Sequence, residues 1–244
     1  MDLAGRNALV TGAAVRVGRA IAEALADAGA DVFVHYRSSA DAAIETVESL
    51  RARGVRAVAG AADLADPAEA RRLVDRATAE LGPISLLVNS ASGFPTDTLE
   101  DVTPEGWRRT LEVTLTAPVF LTQAFAEWLD GDGAVVNVTD ARTLQPYRTH
   151  FSYIVAKGGL DTFTRAAALA LAPRIRVNAV ALGVILPPPG EDDAYVGRLA
   201  ERLPLGRPGG TRPVADAVVC LLRNDFATGE ILRIDGGGHL LDGG

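Results

Sequence analysis

Short runs of aliphatic and β-branched residues alternate along this chain with longer stretches whose apolar positions recur every three to four residues. Seven of the short runs read as strands: Asn7 to Thr11, Asp31 to Tyr36, Val55 to Ala61, Ile84 to Asn89, Ala134 to Thr139, Ile175 to Ala181 and Glu230 to Asp235. The stretches between them read as helices. Val17, Ile21, Ala24, Leu25 and Ala28 follow the helical period, and Gly29 stops that helix. Pro67 and Pro104 stand where a proline opens a helix in its first turn. Strands alternating with helices predict an α/β fold, a doubly wound Rossmann-type parallel sheet of seven strands with helices on both faces, in a single domain over residues 1–244. No linker or repeat divides it. Residues 182–210 hold five prolines and several glycines around a short polar helix, and read as a mobile lid inside that domain.

Composition narrows the function classes. With 48% apolar residues the chain of 244 can bury a sizeable core. Its net charge of -7 argues against non-specific binding to nucleic acid or anionic membrane, both of which need basic patches. No basic leader precedes the first apolar segment, and the longest Ala/Leu run, Ala166 to Ala172, is too short to span a bilayer, so a cytoplasmic protein is expected. The single cysteine, Cys220, sits in the apolar run from Ala217 to Leu222 and reads as a buried structural thiol. His150 and His239 have no metal-ligand spacing to Cys or acids, so no metal site is expected.

Lysine usage supplies the first chemical pointer. Lys157 is the only lysine among 24 Lys and Arg, and it lies four residues after Tyr153, which stacks the two side chains on one helix face. A contact needing only charge could use Arg; a compact ammonium is different chemistry. The second pointer is the turn from Thr11 to Gly18, between the first strand and the first helix. There Gly12 and Gly18 let backbone approach a pyrophosphate, and the helix N-terminus offers unpaired N–H donors. An NAD site places an acid at the end of the second strand for the ribose 2′-hydroxyl, but this chain reads His35-Tyr36-Arg37-Ser38, with no acid before Asp41. Arg37 and Ser38, with Arg16 nearby, instead suit a 2′-phosphate and hence NADPH. Asp63-Leu64 and Asn89-Ser90-Ala91-Ser92 follow the third and fourth strands, at the ends where such sheets bind ligands. Phe94 follows in a loop with no periodic pattern to bury it, placed to sandwich a flat heterocycle against a nicotinamide.

Over essentially its whole length the chain resembles the short-chain dehydrogenase/reductase family. The residues that carry the resemblance are the Thr11–Gly18 turn, Asp63, Asn89-Ser90-Ala91, Tyr153 to Lys157, Arg176-Val177-Asn178 and Asp235-Gly236-Gly237. Within the family it is similar to the pteridine reductases and dihydropterin reductases, through Arg16 in the place of the usual middle Gly, His35-Tyr36, Phe94, and Asp140 in place of the usual catalytic Ser. Departures are Ser90 for the second Asn of Asn-Asn-Ala, Leu182-Gly183 for Pro-Gly, and Thr114 where an Asn usually helps place a proton-relay water. The resemblance implies Asp140, Tyr153 and Lys157 as catalytic residues. It implies a cofactor site from Gly12, Arg16, Val17, His35, Tyr36, Arg37, Ser38, Asp63, Leu64, Asn89, Ser90, Ala91, Thr139, Tyr153, Lys157, Gly183 and Val184. Arg16, Ser92, Phe94, Asp140 and Tyr153 would line the substrate, and a homotetramer is expected. Lys157 would lower the phenol of Tyr153 toward neutrality, which from a pKa of about 10 takes roughly 4 kcal/mol, the scale of one charge pair at about 4 Å. An ionised Asp140 would offset that, so either its carboxyl is held protonated or the proton belongs to the group of three.

The implied activity is NADPH-dependent reduction of a pterin, dihydropterin or dihydrofolate-type small molecule. A reductase of ketones or 3-oxoacyl thioesters is the alternative that Asp140 disfavours. A non-catalytic NADP(H)-binding protein is a second, which Thr114 and Ser90 favour and the intact Tyr153 and Lys157 disfavour.

Overall fold

Each of the seven apolar runs is a strand, and the segments between them are helical. The computed structural model describes residues 1–188 and 190–241. In chain order the elements are β1 (Asn7–Val10), α1 (Arg16–Asp27), β2 (Asp31–Tyr36), α2 (Ala40–Arg51), β3 (Ala57–Ala61), α3 (Pro67–Leu81), β4 (Ile84–Asn89), α4 (Pro104–Leu111), α5 (Ala117–Trp128), β5 (Gly133–Asp140), α6 (Phe151–Leu171), β6 (Ile175–Leu182), α7 (Asp193–Ala200), α8 (Thr211–Arg223) and β7 (Ile231–Ile234). All neighbouring strands pair in parallel, in the order β3-β2-β1-β4-β5-β6-β7. The order reverses between β1 and β4, and a crevice opens at the carboxyl ends of strands at such a point.

Alternation along the strands divides the core in two. In β1, Ala8 and Val10 belong to the layer containing Ile21, Leu25, Val47, Val214 and Val218, while Leu9 belongs to the layer containing Leu73, Leu121, Phe125 and Ala168. Helices α1, α2 and α8 therefore cover one face, and α3, α5 and α6 the other. Each fully buried Leu or Phe contributes about 1.5–3 kcal/mol.

Local chemistry sets the helix ends. Pro67 opens α3 behind Asp66, whose side chain accepts from the Ala68 N–H; Pro104 opens α4 behind Thr103, which accepts from Gly106. Gly29, at φ +84°, ends α1 in the left-handed region. A five-residue π-helical turn, Glu112–Thr116, joins α4 to α5 and holds Thr114 fully buried.

Cys220 departs from expectation, being exposed. The run from Ala217 to Leu222 lies on α8, whose buried side is Val214, Ala215, Ala217, Val218, Leu221 and Leu222, and position 220 falls on the opposite arc. Within residues 182–210, α7 is the polar helix, started by Asp192 accepting from the Tyr195 N–H. Val196 and Ala200 bury its inner side, and the base of the segment is fastened by Gly209 N–H to Val184 O at 2.9 Å. Pro189 lies outside the described residues. Among the described residues no helix is long and apolar enough to cross a membrane.

Candidate active site

At the carboxyl end of β1, the Thr11 hydroxyl accepts from the N–H groups of Ser90 (2.9 Å) and Ala91 (3.0 Å), which joins the glycine turn to the turn after β4. Gly12 has φ +65°, and a Cβ there would lie 3.1 Å from Ala91 Cα; at Gly18 it would lie 2.1 Å from Gly12 O. The two turns thus pack backbone against backbone, which only glycine allows.

His35 does not face this cradle with a free side chain. It is buried, Nδ1 accepts from the Gly12 N–H at 3.1 Å, and Nε2 lies 3.1 Å from Ala62 O. Gly12 N–H needs an acceptor, so Nδ1 is bare and the proton sits on Nε2. Burial lowers the pKa to about 4 and keeps the ring neutral. His35 therefore braces the ends of β1 and β3 from beneath the glycine turn. Val17 and Tyr36 are likewise half-buried against the core, and Leu64 is buried in the opposite layer.

Arg37 and Ser38 are exposed at the end of β2, and among the described residues Arg37 makes no hydrogen bond or ion pair. Arg16, at φ +56°, donates to Pro187 O at 2.6 Å, reaching the segment after β6. Asp63 is paired with Arg109 of α4 at 3.1 and 3.2 Å and caps its own turn by accepting from Ala65; the Ala65 bond, then the guanidinium, hold its carboxyl below the usual range. Asn89 is buried and donates to Asn137, which donates to Thr164 of α6. The Asn89 Oδ1 and Thr139 Oγ1 are buried without a partner among the described residues. Gly183 N–H donates to Ile234 O, and a Cβ on Gly183 would sit 2.6 Å from Asp235 Cα.

Asp140 ends β5 and is buried, 5% exposed. Oδ1 accepts from the Arg142 N–H at 2.8 Å, starting the 3₁₀ turn Ala141–Leu144, and Oδ2 accepts from the Tyr153 hydroxyl at 2.9 Å. Lys157, one turn on along α6 and fully buried, donates from Nζ to Val138 O at 2.6 Å and lies 5.6 Å from the centre of the Tyr153 ring. The three predicted catalytic residues thus converge.

A family model described as Enoyl-(Acyl carrier protein) reductase matches residues 12–239. L-xylulose reductase of Bos taurus is 36% identical over 97% of this chain and 98% of its own. The chain belongs to the short-chain dehydrogenase/reductase family. A Streptomyces violaceoruber protein named for ketoacyl reduction in granaticin polyketide synthesis is 36% identical over 96% of both chains. The structure of FolM, alternative dihydrofolate reductase 1, from Brucella canis complexed with NADP superposes with a TM-score of 0.94 at 37% identity, covering 99% of this chain and 96% of that one.

In this oxidoreductase the electrostatics of the triad differ from expectation. Burial pushes the Asp140 carboxyl up, against the N–H and O–H donors it accepts from. Tyr153 is also pushed up, first by burial and then by Asp140, so the lone lysine does not lower it in the protein by itself. Burial lowers Lys157 to about 8. The reason is geometric. The ammonium spends its hydrogen bond on a carbonyl and sits over the ring, while the phenol oxygen points at the carboxyl.

Phe94 stacks on His150, ring centres 3.7 Å apart, and meets Tyr153 edge-on at 4.8 Å. Its loop is tied to the start of α6: Asp97 accepts from both the Ser152 N–H and hydroxyl, and His150 Nδ1 lies 2.7 Å from Pro95 O. Ser92 reaches the Thr114 hydroxyl at 3.3 Å. Tyr147, His150, Asp97 and Arg109 line or brace the site without having been predicted. Asp97, for one, acts on a helix start 55 residues away in sequence. Among the described residues no cluster of three His, Cys, Asp or Glu could hold a metal.

Proposed function

We propose that this protein is an NADPH-dependent reductase of dihydropterin or dihydrofolate-type substrates. The observation that carries the reading is the Asp140 carboxyl, buried at the end of β5, raised by that burial and hydrogen-bonded to Tyr153. A carboxyl whose acid form is favoured by burial can give its proton to a ring nitrogen, which the serine of a ketone reductase does not do. The likeness to FolM supports the same substrate class.

The residues fit the cofactor. The glycine cradle leaves room only for backbone, the unpartnered Thr139 Oγ1 and Asn89 Oδ1 are buried polar atoms with hydrogen-bonding capacity to spare, and the end of β2 offers Arg37 and Ser38 with no competing acid. NADPH supplies the hydride when bound. Arg37 and Ser38 would hold the 2′-phosphate, Asp63 the base, the Asn89-Ser90-Ala91 turn and Lys157 the nicotinamide ribose, and Gly183 and Val184 the nicotinamide. Phe94 orients the flat substrate, Asp140 and Tyr153 hold and deliver the proton, and residues 182–210 close over it as a lid. The same reading carries a cytoplasmic homotetramer, supported by the exposed Val155 and Leu169 on α6, apolar residues that a second copy would cover.

Reduction of 3-oxoacyl thioesters is the second reading, favoured by the Streptomyces relative named for ketoacyl reduction. NADPH oxidation measured with dihydrobiopterin, dihydromonapterin, dihydrofolate and acetoacetyl thioesters separates the two. Turnover of a dihydropterin is expected, with NADPH bound at least tenfold more tightly than NADH, because one charge-assisted contact is worth about 1.5–3 kcal/mol. Asp140→Ser is expected to remove most pterin activity and to leave any ketone activity intact. Ready reduction of the thioester with none of the pterins would overturn the assignment.

A further inference from the structure

The chain leaves Asp140 through the 3₁₀ turn and comes back over it. Tyr147 places its hydroxyl 3.5 Å from Asp140 Oδ1 and 3.4 Å from Oδ2, beside the Tyr153 hydroxyl at 2.9 Å. Its ring is held on several sides: the Arg142 guanidinium stacks at 5.4 Å, and Phe94 and His150 meet it edge-on at 6.2 and 5.7 Å. We propose that Tyr147 is a positioning residue for proton delivery, a second phenol that shares the Asp140 carboxyl with Tyr153 and sets the pH range over which that acid is loaded. The inference rests on the reading that Asp140 supplies the proton.

The chemistry follows from counting donors. Oδ1 already accepts the Arg142 N–H and Oδ2 the Tyr153 O–H, and Tyr147 brings a third donor between them. Donors favour the ionised carboxylate, whereas burial favours the acid. During reduction the Asp140 O–H bond breaks and its proton joins the substrate nitrogen as the neighbouring carbon of the C=N bond takes a hydride from the reduced cofactor. The carboxylate left behind is then stabilised by both phenols until solvent returns a proton. Other charged or titratable groups face the pair: Lys157 and Asp140 from α6 and β5, Arg142 from the 3₁₀ turn, and Tyr195 of α7 toward Tyr147. The phenol of Tyr147 is itself raised by burial, so it stays a donor throughout the working range.

Tyr147→Phe removes the hydroxyl and keeps the ring. Loss of a donor raises the carboxyl's proton affinity, so its acid form persists to higher pH. Carboxyl-carbon NMR titration of the ¹³C-aspartate-labelled protein, with the Asp140 signal assigned by its absence in Asp140→Asn, should place the midpoint about half to one unit higher in Tyr147→Phe, a threefold to tenfold change in proton affinity. The falling limb of NADPH oxidation with dihydrobiopterin should move the same way, and Tyr147→Gln, which restores a donor, should move both back. An unchanged or lower midpoint in a folded Tyr147→Phe would overturn the inference. Absence of wild-type turnover on every dihydropterin would instead sink the substrate assignment, and the NMR midpoint would still decide the role of Tyr147.

Discussion

Lys157 Nζ is buried and donates to a main-chain carbonyl, that of Val138. A guanidinium brings five N–H donors and a plane that this space cannot satisfy. Lys157→Arg keeps the charge, yet steady-state assay of the purified variant is expected to show turnover lower by about two orders of magnitude, the scale of losing a positioned proton-transfer group. Normal turnover would mean that charge alone suffices. The lone lysine was legible because the rest of the chain uses arginine. A polar residue at a strand's end in this fold, such as His35, reads from sequence as ligand-facing. Only the structure reveals that the Gly12 N–H consumes its acceptor nitrogen.

At the scale of elements, α6 is preceded by His150, in the left-handed region at φ +57°, and its first N–H groups are capped from the Phe94 loop. Asp97 Oδ1 accepts the Ser152 N–H at 3.1 Å, and Asp97 O accepts Phe151 N–H at 3.1 Å. One carboxylate therefore holds both the helix that carries Tyr153 and the loop that carries Phe94. Asp97→Ala is expected to cost about 1–2 kcal/mol, as loss of a helix cap does, read by urea denaturation. It should also raise KM for a dihydropterin more than it lowers NADPH affinity, since the glycine cradle lies elsewhere. Strand positions were legible because apolar runs bounded by turn residues have few other solutions. Asp97, Arg109 and Tyr147 were not, because each acts across a fold contact with no periodic or neighbouring mark in sequence. Cys220 misled for a related reason: an unbroken apolar run hides which face of a helix it occupies.

For the whole molecule, buried titratable groups set how stability follows pH. His35 has an unfolded pKa near 6.5 and a folded one of about 4, so between those values the unfolded chain binds more protons and stability rises with pH. Across that window His35 alone contributes a gain of about 3 kcal/mol, at about 1.36 kcal/mol per unit. Asp140, raised in the fold, acts with the opposite sign. Thermal or urea unfolding from pH 4 to 7 should show a flatter slope in His35→Gln than in wild type, and a steeper one in Asp140→Asn. Equal slopes would mean that His35 is not held neutral by the fold. Lys157 has a further consequence for chemical modification. It carries the protein's only side-chain amine, it is buried, and it is lowered to about 8. An acylating or reductively alkylating reagent therefore has two targets, the chain's α-amine and the Lys157 nitrogen. Counting adducts by mass becomes a direct meter of access to the active site, and a bound nucleotide should halve the count.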